Sequence, residues 1–307
     1  MIPVVLGLSS AVVFGAADFF GGLAARRITP LRATFLAACA GLLLMAVVAP
    51  VVGGDWTGEA LMWGVLSGMS GAVAILLLYA ALAIGPMSIL SPLTAVVSAI
   101  VPMGWGLLQG ERLTAIGYLG LGLALVAVVL VGFVPDRSAV RPTPRGILIA
   151  VGSGILIGIY LTLIDRAPDT SGLLPLLAHR GTSALLLGGA LLVTLIIARG
   201  APAVPEAAPV DRGRGVPRSV RGAVLIALCC GLLDTTANAG ILLGLRLGEL
   251  SVMSVLVALY PAGTILLAGL VLRERVSPVQ WTGLGLAVAA AVLLGSHREL
   301  SEAIGAG

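Results

Sequence analysis

Two carboxylates stand inside long apolar runs, where a charge is expensive to keep. Asp234 lies near the middle of its run and is followed by Thr235, Thr236 and Asn238. A charged side chain at mid-bilayer costs about 2.5–3.5 kcal/mol on insertion scales, so a carboxylate there is paired, protonated or wetted. Asp234 and Asn238 are four apart and share one face of a helix. This group reads as a place where a coupling ion or a cationic part of a solute binds, with Asn238 and Thr235 orienting it. The structural alternative is a polar cluster tying helices together, at about 0.6–2 kcal/mol per hydrogen bond in a membrane. Asp18 sits in Gly15-Ala16-Ala17-Asp18-Phe19-Phe20-Gly21-Gly22. It reads either as a proton- or cation-coupling acid or as an interfacial acid paired with Arg26 or Arg27. Arg180 follows the apolar stretch 173–178 with His179 beside it. It is a counter-charge to an anionic solute group or to Asp18, or else it snorkels to the headgroups, as its counterpart Arg32 is expected to do. Tyr160 is a candidate cavity residue with Tyr79 and Tyr260; for all three, packing in the core or at the interface is the alternative.

A second set of residues concerns movement. Glu111-Arg112 and Glu274-Arg275 each follow an apolar run, and their repetition suggests a role in the fold or in a gate. Pro92, Pro102 and Pro261 fall within runs, where each removes a backbone donor and kinks a helix. Such kinks serve as hinges or as packing devices. The chain has only two histidines and no HExxH, GxSxG or GxxxxGK pattern, so nothing assembles a metal site, a triad or a phosphate loop. No catalysis, metal or cofactor is expected. Cys39, Cys229 and Cys230 all lie in apolar runs and read as small core residues.

The elements that must position these residues follow from composition. The chain is 59% hydrophobic and 10% charged, with mean hydropathy +1.12, too little polar surface to coat a soluble globule of 307 residues. Its apolar runs reach about 20 residues and do not alternate as barrel strands would. The expected fold is an all-α membrane protein of ten transmembrane helices. The spans are 3–24, 33–52, 59–83, 87–108 and 114–134, then 145–164, 173–198, 221–245, 250–272 and 278–296. No charged stretch precedes the first run, which therefore reads as a retained helix. The basic residues are all arginines scattered over loops and aromatics make up only 4%, which excludes a nucleic-acid surface.

The chain writes one stretch twice. Residues 85–132 align without a gap on 248–295, a shift of 163, with 19 of 48 positions identical. The matches include Glu111/Glu274, Arg112/Arg275, Gly120/Gly283 and Gly122/Gly285, and at the same shift Gly68 meets Gly231. More loosely, Arg32 resembles Arg180 and Gly15 resembles Gly158. The expected organisation is a first five-helix repeat over 1–135, a linker over 136–144, a second repeat over 145–298 and a tail over 299–307. Five spans is an odd number, so the second copy is expected to be inverted, as in transporters that expose a midplane site to either side in turn. Loops after odd-numbered spans hold thirteen arginines against four on the other side, which by the positive-inside rule puts both termini outside.

Two five-helix copies, each carrying Glu-Arg before a last span with Gly-x-Gly, resemble the EamA-type branch of the drug/metabolite transporter superfamily. Leu259-Tyr260-Pro261-Ala262-Gly263-Thr264 with Glu274-Arg275 and Gln280 resembles its second-copy signature, and Asp18 through Arg26 resembles a first-helix motif of one bacterial subgroup. The resemblance implies a cavity lined by spans one to four and six to nine, with spans five and ten peripheral. It implies a multi-pass protein of the inner (plasma) membrane, monomer or homodimer, that exports amino acids, other metabolites or drugs by exchange or proton coupling. Under it Asp18, Arg180, Asp234 and Asn238 fall on cavity-lining helices, while both termini would face the cytoplasm, opposite to the arginine count. Two other classes stay open: an intramembrane enzyme acting on lipid-linked substrates, and a receptor or scaffold that moves nothing.

Overall fold

The computed structural model describes residues 2–85, 87–132, 143–200, 219–271 and 277–305. The described residues are helical, without a strand. The helices are α1 (Ile2–Ile28), α2 (Pro30–Val52), α3 (Gly58–Ile84), α4 (Met87–Leu108), α5 (Ala115–Gly132) and α6 (Pro144–Asp165), and then α7 (Leu174–Gly200), α8 (Val220–Leu247), α9 (Leu250–Val257), α10 (Tyr260–Val271) and α11 (Pro278–Gly305). Seven of them are long and apolar enough to cross a membrane, and Ala115–Val131, Leu250–Thr264 and Pro278–Leu294 are shorter apolar stretches. This is a multi-pass membrane protein. Leu43, Val47, Leu185 and Val288 are exposed in mid-helix, as residues facing lipid acyl chains must be.

Helix starts follow from local chemistry. The hydroxyls of Thr57, Thr143 and Ser219 accept hydrogen bonds from Ala60, Gly146 and Gly222 N–H at 3.1, 3.1 and 3.0 Å, and Pro30 and Pro144 occupy first-turn positions where no N–H is needed. The helices then pack by exchange between the two copies. α1 lies on α8 as α3 lies on α6, α2 on α8 as α3 on α7, and α1 on α10 as α4 on α6. α5 packs on α11, at the periphery. Small residues let these backbones approach. A Cβ at Gly120 would come within 2.9 Å of Leu294 Cγ, and one at Gly283 within 2.6 Å of Val131 N. Positions 131 and 294 are equivalents under the duplication, so the same contact is made twice with the copies swapped. Gly15 against Thr264 and Gly158 against Val101 repeat the pattern.

Several expectations need correcting. The ninth span is not one helix: it parts into α9 and α10 around Ala258 and Leu259. Leu259 N–H turns back to Leu256 O at 3.2 Å, and Pro261 has no N–H to continue the ladder. α4, by contrast, runs unbroken through Pro92 and Pro102. Only Cys230 is buried; Cys39 is half-buried and Cys229 exposed, so the cysteines are not all core residues.

Glu111 has a defined place in this fold. Its carboxylate accepts from Leu250 N–H at 2.9 Å and Ser251 N–H at 3.1 Å, and from the Ser251 hydroxyl. A residue of the first copy thus caps the helix that opens the ninth span, where orphan N–H groups favour a negative charge. Its counterpart Glu274 lies outside the described residues. Nearby, the Arg166 guanidinium stands 5.3 Å from the Trp105 ring centre. Arg246 Nη2 donates to Gly172 O at 2.6 Å and to Ser171 Oγ at 3.2 Å, which fastens the turn between α6 and α7 to the end of α8. Gly172 there has φ +54°, a backbone conformation that favours glycine.

Candidate functional site

The polar residues of α6, α7 and α8 converge in the middle of the bundle. Asp234 falls halfway along α8, and its Oδ2 lies 2.6 Å from Arg180 Nη2, with both side chains about 95% buried, their relative exposures being 6% and 5%. α7 delivers Arg180 from its second turn, and Gly41 of α2 makes the room: a Cβ there would meet Arg180 Cδ at 3.1 Å and Nε at 3.3 Å. Asn238, one turn beyond Asp234, donates to Asp234 O at 2.7 Å and to Oδ1 at 3.2 Å. Tyr160 of α6 donates its hydroxyl to Asn238 Oδ1 at 2.5 Å. Asn238 thereby uses its amide fully, and Asp234 is gripped from two sides. Neither Arg180 Nε nor Nη2 makes an aligned hydrogen bond among the described residues, so Nη2 holds Asp234 as a close ion pair.

These groups line a small cavity. Asp234, Asn238, Arg180, Tyr160 and His179 supply its polar wall, and Phe14, Ala74, Ile75 and Ile157 its apolar one. Only about 20 Å3 admits the centre of a water molecule, room for about one water. A solute of several heavy atoms therefore enters only if helices part. Gly71 and Ile75 of α3 are the duplication partners of Asp234 and Asn238 and line the same cavity. One copy supplies charge and the other an apolar surface at matching positions.

Of the six residues expected from sequence at a binding site, four meet here: Asp234, Asn238, Arg180 and Tyr160. Thr235 does not line the cavity. It is buried toward Gly41 of α2, and its hydroxyl has no hydrogen-bond partner among the described residues. Thr236 is turned outward and donates to Leu232 O at 2.8 Å. Asp18 is also separate from the cavity lining: its side chain is fully buried in α1 and neither carboxylate oxygen has a hydrogen-bond partner among the described residues. The pairing with Arg26 or Arg27 is overturned, because the Arg26 guanidinium is turned to Leu82 O, at 3.2 Å from Nη2, and Asp18 forms no ion pair among the described residues. Asp18 nevertheless lies within electrostatic reach of Asp234. Tyr79 and Tyr260 are core residues, the former 2.9 Å from Cys230 Sγ through its hydroxyl, the latter donating to Ser91 O at 3.2 Å. Arg32 is exposed at the start of α2, in contrast to Arg180.

Sequence reasoning passed over His179 and Ser67. His179 Nδ1 is 3.2 Å from Ser67 Oγ of α3, and its ring centre is 4.8 Å from that of Tyr160. The available signal was that His179 precedes a buried arginine and that Ser67 and Gly71 are four apart on one face of α3. Among the described residues no cluster of His, Cys, Asp and Glu is suited to hold a metal ion.

A bundle of long apolar helices in two interchanging copies, closed around a buried ion pair in a small cavity, is a polytopic membrane protein. The chain belongs to the EamA-like transporter family, which it matches over residues 1–133 and again over 144–296. No curated protein matches it. A crystal structure of a protein of similar length shares the fold, with TM-score 0.69 and 17% identity over 97% of this chain and 98% of the other.

Proposed function

We propose that this protein is a secondary transporter that moves a small polar metabolite, such as an amino acid, or a drug-like compound across the membrane by alternating access. The observation that carries this reading is the Arg180–Asp234 pair, buried on the wall of a mid-bundle cavity. A buried ion pair adds little net stability over apolar residues of the same volume, since desolvation offsets its attraction. Placed in a cavity, it is a matched receptor for a zwitterion. A carboxylate displaces Asp234 from Arg180, an ammonium group takes up Asp234, and the apolar wall of Phe14, Ile75 and Ile157 takes an aliphatic part. The chain's own ion pair then closes the site when no solute is present, and the barrier to a bare charge crossing is kept.

The exchange of helix contacts between the copies supports ten spans arranged as inverted repeats, with rocking of one copy against the other as the access step. Asp18 supplies the coupling site. It is a fully buried carboxyl without a hydrogen-bond partner among the described residues, placed on a membrane-spanning helix where carboxyls serve in proton relays. The direction is export, at the inner membrane of the cell.

A thermal-shift screen of the purified protein in detergent, with amino acids, other metabolites and cationic drugs at acid and neutral pH, tests the reading. A ligand that binds only the folded state raises the apparent stability. The expected result is a zwitterion that stabilises the wild type and not Asp234→Asn. A ligand that stabilises both alike removes Asp234 from the site.

A further inference from the structure

Ser67 sets the chemistry of His179. A serine hydroxyl has one hydrogen, and Gly64 O, which can only accept it, is the nearer partner, at 2.8 Å, of Ser67 Oγ. The same oxygen lies 3.2 Å from His179 Nδ1. With its hydrogen used, Oγ offers only lone pairs, so the contact is a hydrogen bond only if Nδ1 carries a proton. In a neutral imidazole the other nitrogen, Nε2, is then a bare acceptor. This is the reverse of the tautomer that a free histidine side chain prefers in water.

The ring lies with its Cε1 corner against Gly71, Nε2 nearer to it than Nδ1. A Cβ at Gly71 would lie 2.5 Å from His179 Cε1 and 3.0 Å from Nε2, but 3.6 Å from Nδ1. Gly71 and His179 both line the cavity. The nearby donors are engaged or turned elsewhere. The Tyr160 hydroxyl hydrogen goes to Asn238, Arg180 Nη2 meets Asp234, and Arg180 Nε is turned toward Gly41 of α2. No described residue donates to His179 Nε2.

We propose that His179 is a solute-binding residue whose Nε2 accepts a hydrogen bond from an N–H or O–H group of the transported molecule, and that Ser67 is the positioning residue that fixes this tautomer. The solute contact rests on the transport reading above; the tautomer does not. The cavity then offers a cation at Arg180, an anion at Asp234 and a neutral acceptor at His179. That set selects zwitterions whose charged nitrogen still carries hydrogens over their fully methylated analogues.

Nitrogen-15 NMR of the full-length protein labelled only at histidine tests this, because the chain has just two histidines. His179→Gln assigns the signals. The expected wild-type spectrum at neutral pH shows His179 protonated at Nδ1 and bare at Nε2, and Ser67→Ala shifts it toward the Nε2-protonated form. A wild-type His179 protonated at Nε2 overturns the assignment without recourse to any variant, and an unchanged spectrum in Ser67→Ala overturns the role of Ser67. Glycine and alanine are then compared with their trimethylated betaines, which keep both charges and lose every N–H. The expected result is a shift of the Nε2 resonance on binding the amino acid and at least about tenfold weaker binding of the betaine, as loss of a buried hydrogen-bond partner implies. His179→Gln and Ser67→Ala should flatten that ratio. A binder that leaves Nε2 unmoved excludes His179 from the solute contact. A panel with no binder contradicts the zwitterion reading and the solute contact together, while the tautomer is still decided by the spectrum.

Discussion

Breaking the Arg180–Asp234 pair one side at a time should cost far more than removing it whole. The two charges meet at 2.6 Å with about 95% of each side chain buried, so solvent screens them little. Unit charges some 4 Å apart at an effective dielectric of 20 attract by about 4 kcal/mol. Asp234→Asn keeps the Asn238 contacts close to their present geometry but leaves a guanidinium buried without a counter-charge. Arg180→Met fills most of the volume and leaves a carboxylate with only the Asn238 amide. Each single substitution should destabilise by about 3–5 kcal/mol, and the double variant by much less, because neither orphaned charge remains. The assay is reversible unfolding in mixed micelles with increasing denaturing detergent, read as a double-mutant cycle. The expected coupling energy is about 3 kcal/mol or more. Additive losses, with coupling below about 0.5 kcal/mol, would refute the reasoning, since they would mean that water already screens the pair.

Four further outcomes follow from the same geometry. Glu111→Ala removes the charged cap of α9 and should destabilise by about 1–2 kcal/mol; hydrogen exchange should accelerate at Leu250 and Ser251, while Glu111→Gln keeps part of the protection. Gly283→Ala pushes a methyl against the backbone of Val131 and should cost about 1–3 kcal/mol, whereas Gly285→Ala, two residues on with nothing within 4 Å, should be neutral in the same unfolding assay. Asp18→Asn mimics the protonated acid in size and polarity, so the folded protein should be at least as stable as wild type near neutral pH. Transport in that variant should lose its dependence on a proton gradient, and a wild-type gradient dependence in proteoliposomes would dismiss Asp18 as the coupling group.

How much of this was legible before the structure differs by residue. The duplication was, because matched glycines record contacts that the fold makes twice, such as Gly120 on Leu294 and Gly283 on Val131. Asp234 and Asn238 were legible too, since a polar pair one turn apart in an apolar run is expensive to keep by chance. Thr235 stands off the cavity wall because adjacency in a helix turns a side chain by 100° to another face. The fate of Asp18 could not be read: sequence shows that Arg26 is two turns away, but not that its guanidinium has a carbonyl to bond at Leu82. His179 was hidden for the same reason. Its chemistry is set by Ser67, more than a hundred positions earlier in the chain, and no local pattern encodes that meeting. Pro92 and Pro261 look alike in sequence, yet only the second coincides with a parted helix, because neighbouring helices decide whether a freed carbonyl is accommodated.

Counterflow uptake of a radiolabelled amino-acid panel into proteoliposomes, wild type beside Asp234→Asn, tests the central claim most directly. The expected result is at least one zwitterion that exchanges across the membrane with the wild type and fails to do so with the variant, although both insert to the same extent. Uptake by Asp234→Asn at the wild-type rate would contradict the account, because solute would then cross without the buried pair that the cavity is built around.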